Sequence, residues 1–375
     1  MKFNLGLIAV LVIGLPVAVS AFEKTREAKT VLQKIEQTIE ADPAIDVSLC
    51  VLSGSVTVRG WNNNQVLARS AEATRIDFNR NDGSAQTAPA RKIEIAVIDG
   101  DNRHGGCQAF SDVEISVPRG ATIHVQTRDG DITIADVAEA YAVSQNGEIY
   151  IQGASRSAEV CSVAGSVTIR DSVGRVNLSS VGGTLAVVNV RPANPGDSFE
   201  AVTVSGDIDL EQVQHSQLNA RTVNGNVSLT GPLSRGGRYE FKTMSGDVTL
   251  AMPDDASFLL NAKVSQSGEI ITDFPLQLTP EPAQAPRAAR APSQASPTEG
   301  RTSTAPPQVS QPAQPPEAPA VVAPAPVVRV SPRVKVVTAD QSFHKLRKFT
   351  ASHGSGEATI YVASFSGTLH LKRSE

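Results

Sequence analysis

Aromatic residues are scarce in this chain: they make up 4% of its 375 residues, and tryptophan occurs once. Val, Ile, Thr, Ser and Gly dominate instead, a composition that favours stacked β-strands over helices. An excess of basic residues is also missing, because the formal net charge is −4. The composition therefore argues against nucleic acid as a partner.

A catalytic or cofactor-binding pattern is missing as well. The six histidines have no metal-ligand spacing, and no Ser/His/Asp or Cys/His arrangement can be nominated. A polysaccharide lyase or hydrolase would need paired acids in a cleft, usually with aromatic platforms for sugar rings, whereas Trp61 and the four tyrosines are scattered. The sequence thus predicts a protein that is not an enzyme and needs no cofactor or metal. A polysaccharide-active enzyme is the alternative.

The first 21 residues, "MKFNLGLIAVLVIGLPVAVSA", combine one early lysine, an apolar run and small residues before an abrupt polar switch. This pattern predicts a secretory signal peptide over residues 1–21, cleaved after Ala21. An uncleaved membrane anchor is the alternative, and only then is membrane association expected. No cysteine stands at the cleavage point, so a lipoprotein anchor is not expected. The sequence predicts export to the periplasm or the cell surface.

The chain has three cysteines, and in an oxidising compartment the simplest expectation is that two of them form a disulfide and the third remains a free thiol. Their spacing matches no zinc site. We expect Cys50 to pair with Cys107, because Cys107 follows the loop "DGDNRHGG" and could reach the first strand, and Cys161 to remain free.

The mature chain divides by composition into four parts. Residues 22–43 have a helical stripe of Val31, Leu32, Ile35 and Ile39 that Pro43 ends, which predicts an N-terminal capping helix or, alternatively, a membrane-lying or partner helix. Residues 45–276 alternate with period two, and 277–333 are a Pro- and Ala-rich linker of disordered or polyproline type. Residues 334–375 return to the strand pattern.

One phrase recurs through the strand region at intervals of 17 to 23 residues, apart from the linker. Its turn glycines are Gly130, Gly147, Gly165, Gly183, Gly206, Gly225, Gly246, Gly268 and Gly367. Three residues before each is a hydroxylated residue, and this Ser/Thr column comprises Thr127, Ser144, Ser162, Ser180, Thr203, Thr222, Thr243, Ser265 and Ser364. Aliphatic residues follow two and four positions after the glycine, although the Gly268 copy has Thr272 in the second place.

Such a repeat predicts an all-β fold, a β-solenoid in which each copy forms one stacked coil. The glycines supply the positive φ of tight turns, and the aliphatic pairs point inward. The Ser/Thr column is expected at a corner, where its hydroxyls satisfy unpaired backbone groups. The linker is long enough for the last coil to dock on the penultimate one and cover the open sheet edge.

Two charged groupings admit a binding interpretation. Acids follow several turn glycines and could hold calcium, but interruptions of the column favour a solvated polar edge: Asp131, Glu148, Asp207, Asp247 and Glu269. Basic residues gather near the end of the chain, where they could meet anionic lipid or a cell-wall polymer, or form only a solvated face: Lys345, Arg347, Lys348, Lys372 and Arg373.

The phrases "SGSVTVRGWNNNQVLA", "SDVEISVPRGATIHVQTRDGDITI" and "GEATIYVASFSGTLHLKR", with the repeated "SGDI", resemble in their order the bacterial putative-adhesin family of β-strand-repeat proteins. The resemblance covers roughly residues 45–276 and 340–375. It implies a β-solenoid on the cell envelope, often encoded where envelope stress is sensed or resisted, and it supplies no catalytic residues. The Pro-rich insertion departs from the compact family pattern.

The sequence therefore predicts an exported, adhesin-like envelope scaffold or binding module. Its expected partner is an envelope polymer or a surface protein. Besides the polysaccharide-active enzyme, an envelope-stress signalling partner is a further alternative.

Overall fold

The structure is a computed structural model, and the predicted signal peptide 1–21 lies outside the part of it described here. The described residues are 34–83, 87–99, 107–265, 268–278, 328–329, 334–336 and 347–374. Within them every regular element is a β-strand, so the prediction of an all-β fold is confirmed. No helix in these ranges has the length and apolar character needed to cross a membrane.

The strands follow one another in short alternation along the chain. In chain order they are β1 (Ile35–Ser53), β2 (Val56–Trp61), β3 (Gln65–Ser70), β4 (Arg75–Arg80), β5 (Ala90–Ile98), β6 (Val113–Pro118), β7 (Thr122–Asp129), β8 (Ile132–Ala135), β9 (Glu139–Asn146), β10 (Ile149–Gln152), β11 (Ser157–Ala164), β12 (Val167–Arg170), β13 (Arg175–Gly182), β14 (Leu185–Val190), β15 (Ser198–Ser205), β16 (Ile208–Val213), β17 (Gln217–Asn224), β18 (Val227–Thr230), β19 (Arg238–Ser245), β20 (Val248–Met252), β21 (Phe258–Val264), β22 (Ile270–Thr272), β23 (Gln277–Leu278), β24 (Val328–Arg329), β25 (Val334–Val336), β26 (Arg347–His353), β27 (Ala358–Ser366) and β28 (Leu369–Arg373).

Each coil has one strand before its turn glycine and one after it. The strands before the turns pair in parallel in the order β1, β7, β9, β11, β13, β15, β17, β19, β27, β21, which we call the first ladder. The strands after the turns form the second ladder in the order β2, β8, β10, β12, β14, β16, β18, β20, β28, β22. Ten stacked coils at about 4.8 Å each give a ladder of about 43 Å.

The core lies between the two ladders. Along β17, for example, Leu218 and Ala220 are buried and alternate with outward residues, and after the turn Val227 and Leu229 are buried in the same way. Since the side chains of a strand alternate between its faces, each coil contributes one layer to a continuous apolar column. Each buried Val, Leu or Ile contributes about 1.5 to 3 kcal/mol to folding.

The last coil of the sequence is not the last coil in space. β27 pairs in parallel with β19 on one side and with β21 on the other, and β28 lies in the same way between β20 and β22. The terminal coil does contact the Gly268 coil, as the sequence suggested, but it is inserted within the stack. The expectation that it covers the open end is therefore wrong.

Antiparallel strands close the two ends of the ladders instead. At one end β26 pairs with β21 and β25 pairs with β22, both antiparallel. At the other end β5 pairs in parallel with β1 and antiparallel with β4, and β6 pairs in parallel with β2 and antiparallel with β3. These antiparallel strands, and not the coil that contains Gly367, lie outside the terminal coils of the stack.

The predicted N-terminal helix is not supported. Residues 22–33 lie outside the described ranges, and β1 begins at Ile35 and pairs antiparallel with β3 as far as Glu40. Ile35 and Ile39 are four residues apart, a separation that places side chains on one face of a helix and also on one face of a strand. Pro43 does not end the element but stands at the register shift between Ala41 and Asp46 within β1.

The predicted linker 277–333 contains described strands at its two ends. β23 pairs antiparallel with β24, and β25 follows within the predicted C-terminal segment. The rest of the linker lies outside the described residues, so its predicted disorder stays a prediction.

Candidate binding surface

The turn glycines form one column through the stack. Eight of the nine predicted glycines have positive φ, from 109° at Gly183 to 154° at Gly130, and Gly268 does not. At Gly206 an added Cβ would overlap the carbonyl oxygen of Gly183 in the preceding coil. Gly54 (φ 118°) marks a further turn outside the predicted set, where Val51 stands in the position of the Ser/Thr column. The glycines thus serve both the turn and the close stacking of the coils.

The Ser/Thr column lies inside the corner next to these turns. Eight of its nine predicted members are buried. Thr222 Oγ1 donates a hydrogen bond to Gly206 O of the preceding coil at 3.1 Å, and Thr243 Oγ1 donates in the same way to Gly225 O at 3.0 Å. Thr203 Oγ1 and Ser364 Oγ, by contrast, are buried without a hydrogen-bond partner.

Ser265 is the exception in the predicted column. Val264 pairs with Ser364, so Val264 takes the column position and Ser265 follows it. After the turn the register of Ile270 with Leu369 is regular again. The Gly268 coil therefore contains one additional residue before its glycine, which counting back from the glycine could not reveal.

The acids after the turn glycines bond to the backbone of the next coil. Asp131 Oδ1 accepts a hydrogen bond from the Glu148 amide at 2.8 Å, and Asp207 Oδ1 accepts one from the Asn226 amide at 2.7 Å. In the same way, Asn226 Oδ1 accepts a hydrogen bond from the Asp247 amide of the next coil. Among the described residues, no group of three or more His, Cys, Asp or Glu is arranged to hold a metal ion. The residues that follow the turn glycines thus connect adjacent coils by hydrogen bonds along one edge of the structure.

The cysteines and the buried histidine have structural positions. Cys50 and Cys107 are joined by a disulfide with their Cα atoms 4.7 Å apart, and Cys161 is free and exposed.

His215 is fully buried, and its Nε2 lies 2.7 Å from Gly174 O. Because a carbonyl oxygen only accepts, Nε2 carries the proton. Burial lowers the pKa of His215 below its ordinary value of 6.5, so the ring is neutral.

A row of exposed apolar side chains runs along the first ladder, and sequence analysis did not single it out. Each member stands two residues before a turn glycine, and six consecutive coils contribute one each. This apolar stripe consists of Val163, Val181, Val204, Val223, Met244 and Phe365, with exposed fractions from 38% at Val223 to 62% at Phe365. At about 4.8 Å per coil the stripe is about 24 Å long. Alignment on the glycines shows the shared position, but only the structure places Phe365 beside Met244.

The basic residues near the C-terminus do not form the single cluster that the sequence suggested. Lys348 is exposed on β26 beside the first ladder, whereas Lys372 and Arg373 lie on β28 in the second ladder. Arg373 contacts Asp254 at 3.4 Å. Lys345 and the side chain of Arg347 lie outside the described residues.

A different group of cations lies around Lys348 on the outer face of the first ladder. Arg221 pairs with Lys242 in register, Lys242 with Ala363, Ala363 with Lys263, and Lys263 with Lys348. These four cations on five adjacent strands are here called the cationic row. They lie along one line across the ladder, two residues further from the turn than the apolar stripe.

One carboxylate accompanies the cationic row. Glu240 forms an ion pair with Lys242 and contacts Arg221 at 3.7 Å. The hydrogen bond from Lys242 is the main reason that the pKa of Glu240 lies below its ordinary value, and the charges of Lys242, Arg221 and Arg238 act in the same direction. Glu240 is therefore ionised and already has its partners.

A family model matches residues 104–287, which contain the turn glycines from Gly130 to Gly268. This part of the chain, just under half of its length, is similar to the Toastrack DUF4097 family. The family resemblance drawn from the sequence is thereby confirmed. No curated protein matches the chain.

Three solved structures are similar to this chain at low identity. A putative adhesin from Parabacteroides distasonis is 10% identical, with a TM-score of 0.39, over 59% of this chain and 90% of its own. A putative adhesin from Parabacteroides merdae is 10% identical, with a TM-score of 0.28, over 58% of this chain and 90% of its own. A putative cell adhesion protein from Clostridium sporogenes is 8% identical, with a TM-score of 0.19, over 91% of this chain and 100% of its own.

Proposed function

We propose that this chain is an exported, non-enzymatic, adhesin-like scaffold of the cell envelope that binds an extended partner, either an envelope polymer or a surface protein. The apolar stripe carries this proposal. Six apolar side chains stand exposed on adjacent strands, and an exposed contiguous apolar surface on a soluble protein marks an interaction site.

The shape of the surface suits a long partner better than a small substrate. Outward side chains repeat along each ladder at one coil spacing of about 4.8 Å, so one kind of contact is offered many times in a line. A small-molecule site, by contrast, is concave and brings a few polar groups together. At the corners, the carboxylates of acids such as Asp131 and Asp207 accept hydrogen bonds from backbone amides of the next coil.

Two features support export. Residues 1–21 have the composition of a secretory signal peptide. Cys50 and Cys107 are disulfide-bonded, and a disulfide persists in an oxidising compartment outside the cytosol.

The test uses residues 22–375, which contain the compact unit Lys34–Glu375. We expect this protein to be retained by an isolated envelope fraction and to leave the length of the envelope glycans, measured by mass spectrometry, unchanged. Shortened glycan chains would favour the enzyme, and absence of retention would contradict the binding function.

A matched pair of variants tests the stripe itself. Replacing Val181 and Val204 by Asn removes two apolar contacts. We expect retention to weaken about tenfold, which corresponds to a loss of about 1.4 kcal/mol in binding free energy. Val143→Asn is the control, because Val143 is also exposed but lies outside the stripe. Equal loss in both proteins would count against the stripe as the binding surface.

A further inference from the structure

The cationic row places two like charges face to face. Lys263 on β21 and Lys348 on β26 are direct partners in an antiparallel register, and both side chains are exposed. Like charges directly opposite each other destabilise a strand pair. Neither lysine forms an ion pair with a described carboxylate. An anion that lies between the two ammonium groups relieves this repulsion, so the arrangement that destabilises the free protein favours the binding of an anion.

The charge of this region differs from that of the whole chain. The outward residues of β17, β19, β27, β21 and β26 include four cations of the row together with Arg238, and Glu240 is the one described carboxylate among them. The whole chain has a formal net charge of −4. A local positive excess on an acidic protein attracts an anionic ligand selectively to this place.

A groove lies within the cationic row. It has a volume of about 320 Å³, and its lining includes Lys242, Lys263, Lys348, Ala363, Tyr361 and Asn261. Ala363 stands between Lys242 and Lys263 in register, so its short side chain leaves space between two long cationic ones. We call this site the lysine groove.

The second wall of the lysine groove offers hydrogen-bonding groups and an aromatic ring. Tyr361 pairs in register with Glu240 on one side and with Asn261 on the other. The guanidinium of Arg238 lies 4.8 Å from the centroid of the Tyr361 ring and holds it in place. Thr350 Oγ1 donates to Asn261 Oδ1 at 3.4 Å, which leaves the Asn261 amide hydrogens available to a ligand.

The segment between β23 and β26 does not have the charge to occupy this groove. Residues 279–346 contain seven basic and four acidic residues, so the segment is itself cationic. A ligand of the opposite charge must come from outside the chain. Cations in a line beside amide, hydroxyl and aromatic groups fit a chain of sugar rings that bears carboxylates.

We propose that the lysine groove binds an acidic glycan, with its carboxylates between Lys242, Lys263 and Lys348 and its sugar hydroxyls against Asn261 and Tyr361. This assignment rests on the proposed function, since it names the class of envelope polymer. The glycan runs across the strands, parallel to the stack of coils, because the cations follow that direction.

The experiment measures the binding of residues 22–375 to polygalacturonate oligomers, which carry one carboxylate per sugar ring. We expect saturable binding that weakens as salt is added, because salt screens exposed charges. Lys263→Gln combined with Lys348→Gln should weaken it about tenfold or more. The control is Lys372→Gln, which removes an exposed lysine from the second ladder of the same coil as Ala363 and should bind like the wild type.

The double variant also reports on folding. Because it removes a like-charge pair, its melting temperature without ligand should equal or exceed that of the wild type. Weaker binding together with a lower melting temperature would overturn the assignment of these lysines to the ligand.

Other probes decide the class of ligand. Neutral dextran should not bind. Binding of duplex DNA, inorganic polyphosphate or anionic phospholipid vesicles as tight as that of polygalacturonate would overturn the glycan assignment. If polygalacturonate fails to bind while retention by the envelope fraction still depends on Val181 and Val204, the glycan assignment fails and the proposed function stands. If polygalacturonate does not bind and envelope retention does not depend on Val181 and Val204, both the glycan assignment and the proposed function fail.

Discussion

At the scale of single residues, the Ser/Thr column contains two kinds of buried hydroxyl. Thr222 donates to a carbonyl of the neighbouring coil, whereas Thr203, at the equivalent place in the preceding coil, has no partner. The sequence predicts a hydroxyl at this corner but not which ones form hydrogen bonds, because that depends on tenths of an ångström between coils.

Thr222→Val should lower the free energy of unfolding by about 1 to 2 kcal/mol, because Gly206 O loses its donor and valine has nearly the same shape. Urea denaturation followed by circular dichroism measures this. Thr203→Val is the matched control and should be neutral or slightly stabilising, since it removes an unpaired buried hydroxyl. An equal loss in the two variants would contradict the hydrogen-bond explanation.

His215 should make stability depend on pH. Its pKa is lowered in the folded protein, so between pH 6.5 and the folded pKa the unfolded chain binds a proton that the folded chain does not. The contribution of the neutral ring is therefore complete above about pH 6.5 and is lost as the pH falls below it.

His215→Gln removes this titration while the amide can still donate toward Gly174 O. Between pH 7.5 and pH 5.0 the wild type should lose on the order of 1 kcal/mol more stability than the variant. Urea midpoints at the two pH values give the comparison. Parallel pH profiles of the two proteins would show that His215 does not titrate on unfolding.

At the scale of the element, the coil is built around its glycine. Positive φ and the carbonyl of the preceding glycine together exclude a side chain at Gly206. The repeat phrase already indicated the turn, because a glycine at a fixed offset from two aliphatic residues has a local explanation. The close approach of adjacent glycines is a property of stacking and needed the structure.

Gly206→Ala should destabilise the protein by at least about 2 kcal/mol, through strained φ and displacement of the Gly183 coil. Gly196→Ala is the control: its φ is not positive, and an added Cβ would meet no atom within 4 Å. It should change stability by less than about 0.5 kcal/mol. Thermal unfolding of both variants tests this, and a similar small effect of both would refute the steric role of the column.

The first strand shows where a local pattern is ambiguous. Ile35 and Ile39 fit a helical stripe, and the sequence alone favoured a helix there. The pairing of β1 with β3 provides hydrogen-bond partners that a sequence pattern does not contain, and that tertiary pairing decides the strand.

At the scale of the whole molecule, the order of coils in space differs from their order in the chain. β27 lies between β19 and β21, so the segment after the linker has strand partners on both sides. Removing it would open the stack between two coils rather than expose one end.

Limited proteolysis should cut between residues 280 and 330, where the composition predicts a disordered linker. The fragment after the cut should remain bound to the rest of the protein on gel filtration and separate only in denaturant, because β27 and β28 each pair with two neighbours. Separation without denaturant would contradict the inserted position of the last coil.

The sequence by itself determined the coil: its strands, turns and buried positions follow from residues close together in the chain, such as Gly225 with Val227 and Leu229. It also placed the members of the apolar stripe at one position of the repeat. The tertiary structure alone decided the insertion of β27 and the assembly of the cationic row. Lys242, Lys263 and Lys348 come from segments separated by other strands and the linker, so only long-range pairing brings their charges onto one line.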